Sequence, residues 1–318
     1  MFIMKNKLDH SNLVEQTKCA PSKKYNDGSC FTLEALKEIA TNYNNKNKNK
    51  IDLNLSKNEL VEELKDKLSN KCSEQTCWLR LDIAKALDDD IKENTFRPEG
   101  PNKKYEWLST THINDVISQY QTVHTDFNFL GAVPLDFDNI QVLGIKNLNF
   151  DNLIKEGKTK IGLVINHDEH WKSGSHWVGL FIDLKKNGIY YFDSVGSPPL
   201  KLIKKFITRV AKYMYSKKYN ETLPVNNVLK IFKSIQDLPQ SKLNKVLNEK
   251  KYIKHLVEDF DIRYNNIQHQ FDNSECGVYS INFILDMVEG KKFDDVINNI
   301  KKDEKMNANR KILFRNVN

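Results

Sequence analysis

One cysteine stands where a polar, Asn-rich segment gives way to an apolar helical stripe, in the stretch Gln270 to Ser280. A thiol attacks a carbonyl at neutral pH only with a lowered pKa, a base and donors for the oxyanion. Val278, Ile281, Ile284, Leu285 and Val288 repeat at helical spacing behind Cys276, so the thiol falls near a helix N-terminus. There the macrodipole and the free N–H groups favour thiolate and oxyanion alike. Gly277 permits close backbone approach to a substrate, and Ser274 lies beside it. Gln270, six positions upstream, is placed to return its amide as an oxyanion donor. The plainer reading is a buried structural cysteine opening a core helix, the commoner case for an arbitrary Cys. A base has to come from elsewhere in the chain.

His167, His170 and His176 share one ten-residue window. His167 and His170, in His-Asp-Glu-His, do not match the zinc-protease spacing, and read as solvated loop residues. His176 differs: it opens the apolar run His-Trp-Val-Gly-Leu-Phe-Ile-Asp (176–183), directly before Trp177. Asp193 ends the neighbouring run Gly-Ile-Tyr-Tyr-Phe-Asp (188–193). If the two pair as a hairpin, His176 and Asp193 come from the same end of a sheet, with the register centred near residues 184 and 185. The carboxylate then fixes the imidazole tautomer by accepting from Nδ1. A lone Asp that merely starts a turn before Gly196 is the ordinary alternative.

The elements that must hold these groups are short and mixed. Residues 161–166, 176–183 and 188–193 are rich in β-branched and aromatic residues and bounded by Asn, Gly or Lys. They read as three adjacent strands, with Lys185-Lys186-Asn187-Gly188 turning the last two. Asn166 closes the first of them. Pro198-Pro199 opens a helix through Leu200, Ile203, Phe206, Ile207 and Val210, and a strand is expected from about Phe260 to Gln268. Residues 220–252 carry no clear pattern, and 127–137 read as an aromatic, Pro-containing loop. Residues 1 to about 29 are polar and read as a loosely ordered lead-in. Upstream, Thr32 caps a helix carrying Leu33, Leu36, Ile39 and Ala40. Ser56 with Glu59 forms a capping box ahead of Leu60, Leu64 and Leu68. A third helix is expected over Trp78 to Leu87. Arg97-Pro98-Glu99-Gly100-Pro101 is the clearest break in the chain. The division is therefore a small helical arm domain over 1–103 and an α+β domain over 104–318.

Taken together, His176, Asp193, Gln270 and Cys276 resemble the site of the ubiquitin-like-protein (SUMO) proteases and adenovirus-type endopeptidases. That family carries a papain-like site in permuted order: His, Asp, Gln, Cys. His176-Trp177 resembles its His-Trp pair, and Glu275-Cys276-Gly277 its nucleophile motif. Trp107-Leu108 with Ile113-Asn114 is similar to its Trp-Leu-x-x-x-x-Ile-Asn helix start. The polyprotein proteases of large DNA viruses are the most alike, through Gly-x-His-Trp-Val, Ser-Pro-Pro and a terminal Leu-Phe-Arg (313–315). They also have a helical arm with Cys-x-x-x-x-Cys, as at Cys72 and Cys77. One such viral enzyme carries Asn where this chain has Asp193. The resemblance implies a permuted papain-like α+β core with a central mixed sheet flanked by helices. It implies a cysteine endopeptidase cleaving after Gly, with no cofactor. Trp107 and Trp177 would flank a tunnel for a Gly-Gly backbone, with Asn166, Ser274 and Gly277 facing the substrate. The implied partner is a viral core or capsid polyprotein, met in the host cytoplasm and packaged in the virion. SUMO or ubiquitin deconjugation is the first rival, and a non-catalytic module binding a ubiquitin-like tail the second.

Composition is consistent with a protein of this kind. The chain has 318 residues, 39% hydrophobic and 29% charged, a globular balance. No apolar run reaches the eighteen or so residues of a membrane span, and the first nine residues lack the apolar core of a secretory signal. The net charge of +7 comes from Lys dispersed among Asn, so it does not single out nucleic acid as a partner. Five cysteines at low density, Cys19, Cys30, Cys72, Cys77 and Cys276, point to a reducing compartment and structural thiols rather than a disulfide framework or a zinc site.

Overall fold

The computed structural model describes residues 16, 18–72 and 74–316. It divides into two compact units. One holds the residues up to Lys103 together with those from Arg310 onward, and the other spans Lys104–Asn309. The sequence alone gives no reason to assign the last residues to the first unit.

In the first unit, α1 (Leu33–Lys46) begins where the Thr32 hydroxyl accepts from the Ala35 N–H, and buries Leu36, Ile39 and Ala40. In α2 (Lys57–Leu68), Ser56 and Glu59 form both halves of the expected capping box, behind which Leu60, Leu64 and Leu68 are buried. The expected helix over 78–87 does not form. A single turn, α3 (Gln75–Trp78), runs into successive tight turns whose amides bond three residues back, Arg80 to Cys77, Leu81 to Trp78 and Ala84 to Leu81. Trp78, Ile83, Ala84 and Leu87 still reach the core, so packing decided the backbone over helix propensity. A short α4 (Asp89–Asn94) follows, capped by Asp88. The cysteines also depart from expectation: Cys19 is bonded to Cys30 and Cys72 to Cys77, leaving Cys276 as the free thiol. The reason is proximity in the fold, with Cα atoms 5.4 and 6.0 Å apart, inside disulfide reach.

The second unit is built on a five-stranded mixed sheet in the order β1-β2-β3-β4-β5. After α5 (Thr110–Tyr120), the segment expected to be a loop forms β1 (Phe127–Val133), parallel to β2 (Lys160–Asn166). It is held partly by Asn114, whose Oδ1 accepts the Ala132 N–H at 2.7 Å. Three 3-10 turns (Phe137–Asn139, Gln141–Leu143 and Ile145–Asn147) and a short helix, α6 (Phe150–Lys155), separate the two strands. Antiparallel β3 (Trp177–Asp183) and β4 (Gly188–Phe192) complete the expected hairpin, and β5 (Asp261–Tyr264) lies parallel to β4. The hairpin pairs Asp183 with Gly188, which places the register slightly beyond the expected centre.

Both faces of the sheet are covered, which is why its central strands read as continuous apolar runs. Ile161, Leu163, Val178, Leu180 and Ile189 join Ile203, Phe206, Ile207 and Val210 of α7 (Lys201–Tyr219) in one core. The stretch 220–252, patternless in sequence, falls largely within three helices, α8 (Val228–Gln236), α9 (Gln240–Glu249) and α10 (Lys251–Asp259). The opposite face receives α11 (Cys276–Val288), eleven of whose thirteen residues are buried, as expected of a helix apolar almost all round. Glycines make that approach possible. A Cβ at Gly179 would lie 2.4 Å from Cδ1 of Phe283, and one at Gly162 would lie 3.2 Å from Ile284. The chain ends with α12 (Phe293–Asn298) and α13 (Asp303–Leu313). No helix among the described residues is long and apolar enough to cross a membrane.

Candidate active site

Three element ends supply the chemistry. His176 immediately precedes β3, Asp193 immediately follows β4, and Cys276 is the first residue of α11. Because β3 and β4 are antiparallel neighbours, the start of one and the end of the other share an edge of the sheet. The approach of α11 to β3 through Gly179 brings its N-terminus to that edge.

His176 and Asp193 meet with Nε2 and Oδ1 2.6 Å apart. The expectation that the carboxylate would engage Nδ1 is corrected here. With Nε2 held by Asp193, the other ring nitrogen of His176 is left for the nucleophile. Burial disfavours the imidazolium, but hydrogen bonds and charge from Asp193 and Cys276 outweigh it and raise the His176 pKa to about 9. At neutral pH the ring is therefore a cation, which sets a positive field at the nucleophile's end of α11. Position adds to this, since the first N–H groups of α11 have no partner within the helix.

Asp193 is fully buried. Oδ1 also accepts the Val195 N–H at 3.0 Å, while Oδ2 has no hydrogen-bond partner among the described residues. Its main chain is held by a residue the sequence reading missed. Asn265, wholly buried, accepts the Asp193 N–H at 2.7 Å and donates to the Asp193 carbonyl at 2.7 Å. An Asn one residue past a short parallel strand carries no local signal of that role.

Gln270 is buried, and its orientation is fixed from both ends of the amide. Ser194 Oγ donates to Oε1 at 2.6 Å, and Nε2 donates to the Asp272 carbonyl at 2.7 Å. An amide nitrogen carries two hydrogens, so one N–H is committed to the loop and the other is free for an oxyanion. The Ser194 carbonyl accepts from the amides of both His269 and Gln270 at 2.8 Å, which ties the Asp193 loop to the Gln270 loop.

Trp107 and Trp177 differ in setting. Trp177 is 8% exposed, with Nε1 donating to the Leu108 carbonyl at 2.9 Å, whereas Trp107 is 49% exposed. Leu108 also closes on Gly277, where a Cβ would lie 3.0 Å from the Leu108 Cβ. A side chain at 277 would thus push Leu108 back by a few tenths of an ångström. Asn166 is spent on the loop before His176, its Oδ1 accepting the N–H groups of Asp168 and Ser175 at 2.9 and 3.2 Å. Ser274 is buried and gives its hydroxyl to Glu275 at 2.9 Å.

With that geometry in place, comparison with known proteins is informative. Residues 163–317 match the model of the C-terminal catalytic domain of the Ulp1 protease family. A thiol protease of Acanthamoeba polyphaga mimivirus is 31% identical, over 94% of this chain and 93% of its own length. The chain belongs to the Ulp1 protease family. It is a cysteine-type peptidase. The SUMO-1 cysteine protease of African swine fever virus is 24% identical over 81% of this chain and 88% of that protein. The crystal structure of the swine fever enzyme superposes with a TM-score of 0.60 at 20% identity, covering 95% of this chain and 97% of that one. That likeness shows the mixed α/β fold.

One further histidine of this Ulp1-family chain is not the solvated loop residue that its sequence context suggests. His167 packs edge-on against His176, with ring centroids 5.0 Å apart and its Nε2 3.4 Å from the Tyr191 hydroxyl. Burial and then the His176 charge push its pKa down. His170 Nδ1 lies 2.6 Å from buried Asp136, which also accepts the His170 N–H at 2.9 Å. The His170 side chain is 55% exposed, as its loop context implies, and nothing local in three histidines over ten residues separates the packed His167 ring from a wet one.

Proposed function

We propose that the enzyme is an endopeptidase that cleaves after Gly in Gly-Gly-x segments of viral structural polyproteins during virion maturation. The observation that carries this reading is the wall beside the nucleophile. Trp177 is fixed to the Leu108 carbonyl, and Leu108 is packed onto Gly277, the residue after Cys276. In this reading Trp177 and Leu108 wall a passage that Trp107 covers, and such a passage favours bare backbone, which glycine alone offers. In this reading Gly277 matters by letting Leu108 close, while Asn166 and Ser274 hold the loops that the substrate crosses.

The site is papain-like with its residues permuted in chain order, and the helical segment before residue 104 serves as an arm to the catalytic domain. The Cys276 thiolate adds to the glycyl carbonyl carbon. The resulting oxyanion takes hydrogen bonds from the free Gln270 Nε2–H and the Cys276 N–H. His176, a cation at neutral pH, gives its proton to the departing amine as the C–N bond breaks and the thioester forms. Water then adds to the thioester carbonyl as the now neutral His176 takes its proton. The C–S bond breaks with the Cys276 sulfur as leaving group and the acid product departs, and Asp193 stabilises the imidazolium whenever it is formed. No step calls for a cofactor. The viral names of the relatives support a substrate met in infected cytoplasm and in the particle.

The test is cleavage of a Gly-Gly-x peptide library beside a SUMO-fluorophore conjugate, with wild type and Cys276→Ala. Cys276-dependent cleavage of peptides without SUMO is the expected result. Preference for SUMO would move the enzyme to deconjugation, and cleavage of neither would overturn the proposal.

A further inference from the structure

Two loops adjoining the catalytic groups each present one large aromatic side chain to solvent. Phe271, next to Gln270, is 74% exposed, and Trp171, five residues before His176, is 64% exposed. Exposed aromatics usually sit on loose surface, where they need no explanation. These do not, because the backbone beneath each is pinned by a buried carboxylate. Asp303 accepts the N–H groups of both Phe271 and Asp272, at 2.8 and 3.0 Å. The same loop is tied from behind by the Tyr279 hydroxyl on the His269 carbonyl and by His269 Nε2 on the Ile297 carbonyl. On the other loop, Asp136 holds His170 through both its backbone and its ring, and the Trp171 ring packs edge-on against that His170 ring at 4.8 Å.

A buried carboxylate committed to a loop costs desolvation unless it is fully hydrogen-bonded. Here two are spent on loops whose outward product is a bare aromatic ring. A rigid exposed aromatic binds with little loss of side-chain freedom, which is the property of an interface anchor.

We infer that Phe271 and Trp171 are specificity-determining residues, each receiving an apolar side chain of the substrate outside the glycine pair. The inference rests on the proposed Gly-Gly-x cleavage. Glycines give the narrow passage no side chain to grip, so selection among Gly-Gly sequences has to come from flanking residues. The ligand is an extended protein segment with leucine-, methionine- or phenylalanine-like residues within a few positions of the scissile bond.

The experiment measures kcat/KM for Gly-Gly-Ala peptides carrying either Leu/Phe or Ser/Asn at the flanking positions. Wild type, Phe271→Ala, Trp171→Ala and the double variant are compared, with Cys276→Ala as the control. Wild type should favour apolar flanks by at least tenfold. Each alanine variant should bring that ratio toward one at a different flanking position, and Phe271→Tyr and Trp171→Phe should restore it. Thermal unfolding at wild-type temperature shows that the variants are folded, as exposed positions allow. A wild-type ratio near one, or a ratio unmoved in the variants, overturns the inference while leaving Cys276-dependent cleavage intact. Cleavage that survives in Cys276→Ala would instead overturn the catalytic reading.

Discussion

Replacing Asp193 with Asn removes a charge while keeping an oxygen for the His176 N–H. The His176 pKa stands at about 9 against an ordinary 6.5, a difference of roughly 3 kcal/mol in favour of the imidazolium. Its side chain is 18% exposed, so solvent screening removes little of that. Burial works against the cation, and Asp193 and Cys276 together supply the gain, Asp193 through the stronger hydrogen bond. The sign follows. A raised pKa keeps the ring cationic below about 9, and the function that needs the cation is lost as pH rises through that value. With Asn, the alkaline limb of kcat/KM should move down by roughly one to two pH units, toward the ordinary histidine range. The assay is the pH profile of peptide cleavage from pH 5 to 10 for wild type and Asp193→Asn. An alkaline limb that stays in place would refute the reasoning, since it would show that something other than this carboxylate keeps His176 protonated.

Three other outcomes follow from the packing. Gly179→Ala drives a Cβ into Phe283 at the contact between β3 and α11. Overpacking there should cost about 1–3 kcal/mol, visible in denaturant unfolding, and an unchanged midpoint would contradict the close-approach argument. Asn265→Ala strands the buried N–H of Asp193, whose carbonyl keeps the Gly196 N–H, at about 1–3 kcal/mol for the group left unsatisfied. It should lower kcat as well as stability, and a stable variant with full kcat would show that Asp193 holds its place unaided. Cys19→Ser opens the disulfide across 11 residues. By loop entropy this should cost the first unit about 3 kcal/mol, read as earlier unfolding by hydrogen exchange, while wild-type protection in that unit would count against a native bridge.

Sequence legibility followed the local character of each signal. The Thr32 cap, the Ser56 capping box, the β3–β4 hairpin and the helix opening at Cys276 are set by residues a few positions apart, and the structure places them as the pattern implies. Elements decided by distant partners were less accessible. β1 looked like a loop because Gly131 and Pro134 interrupt it, yet pairing with β2 and the Asn114 side chain make it a strand. The turns over 78–87 share their apolar spacing with a helix. The disulfides depend on which cysteines the fold brings together, which spacing does not reveal. At the site, the residue types, their chain order and the His-Trp and Glu-Cys-Gly contexts made His176, Asp193, Gln270 and Cys276 candidates. The ring nitrogen facing Asp193 was not legible, because it depends on how the His176 ring is turned against Asp193 and His167 in the fold. Asn265 and Asp303 act through tertiary contacts alone.

The most direct test of the central claim is the rate of iodoacetamide alkylation of Cys276, followed by mass spectrometry from pH 5 to 9 in wild type and His176→Gln. The account predicts fast, site-selective alkylation at pH 6 in wild type, falling by at least tenfold in His176→Gln. Equal rates in the two proteins, rising only as an ordinary thiol would, contradict a histidine-activated nucleophile.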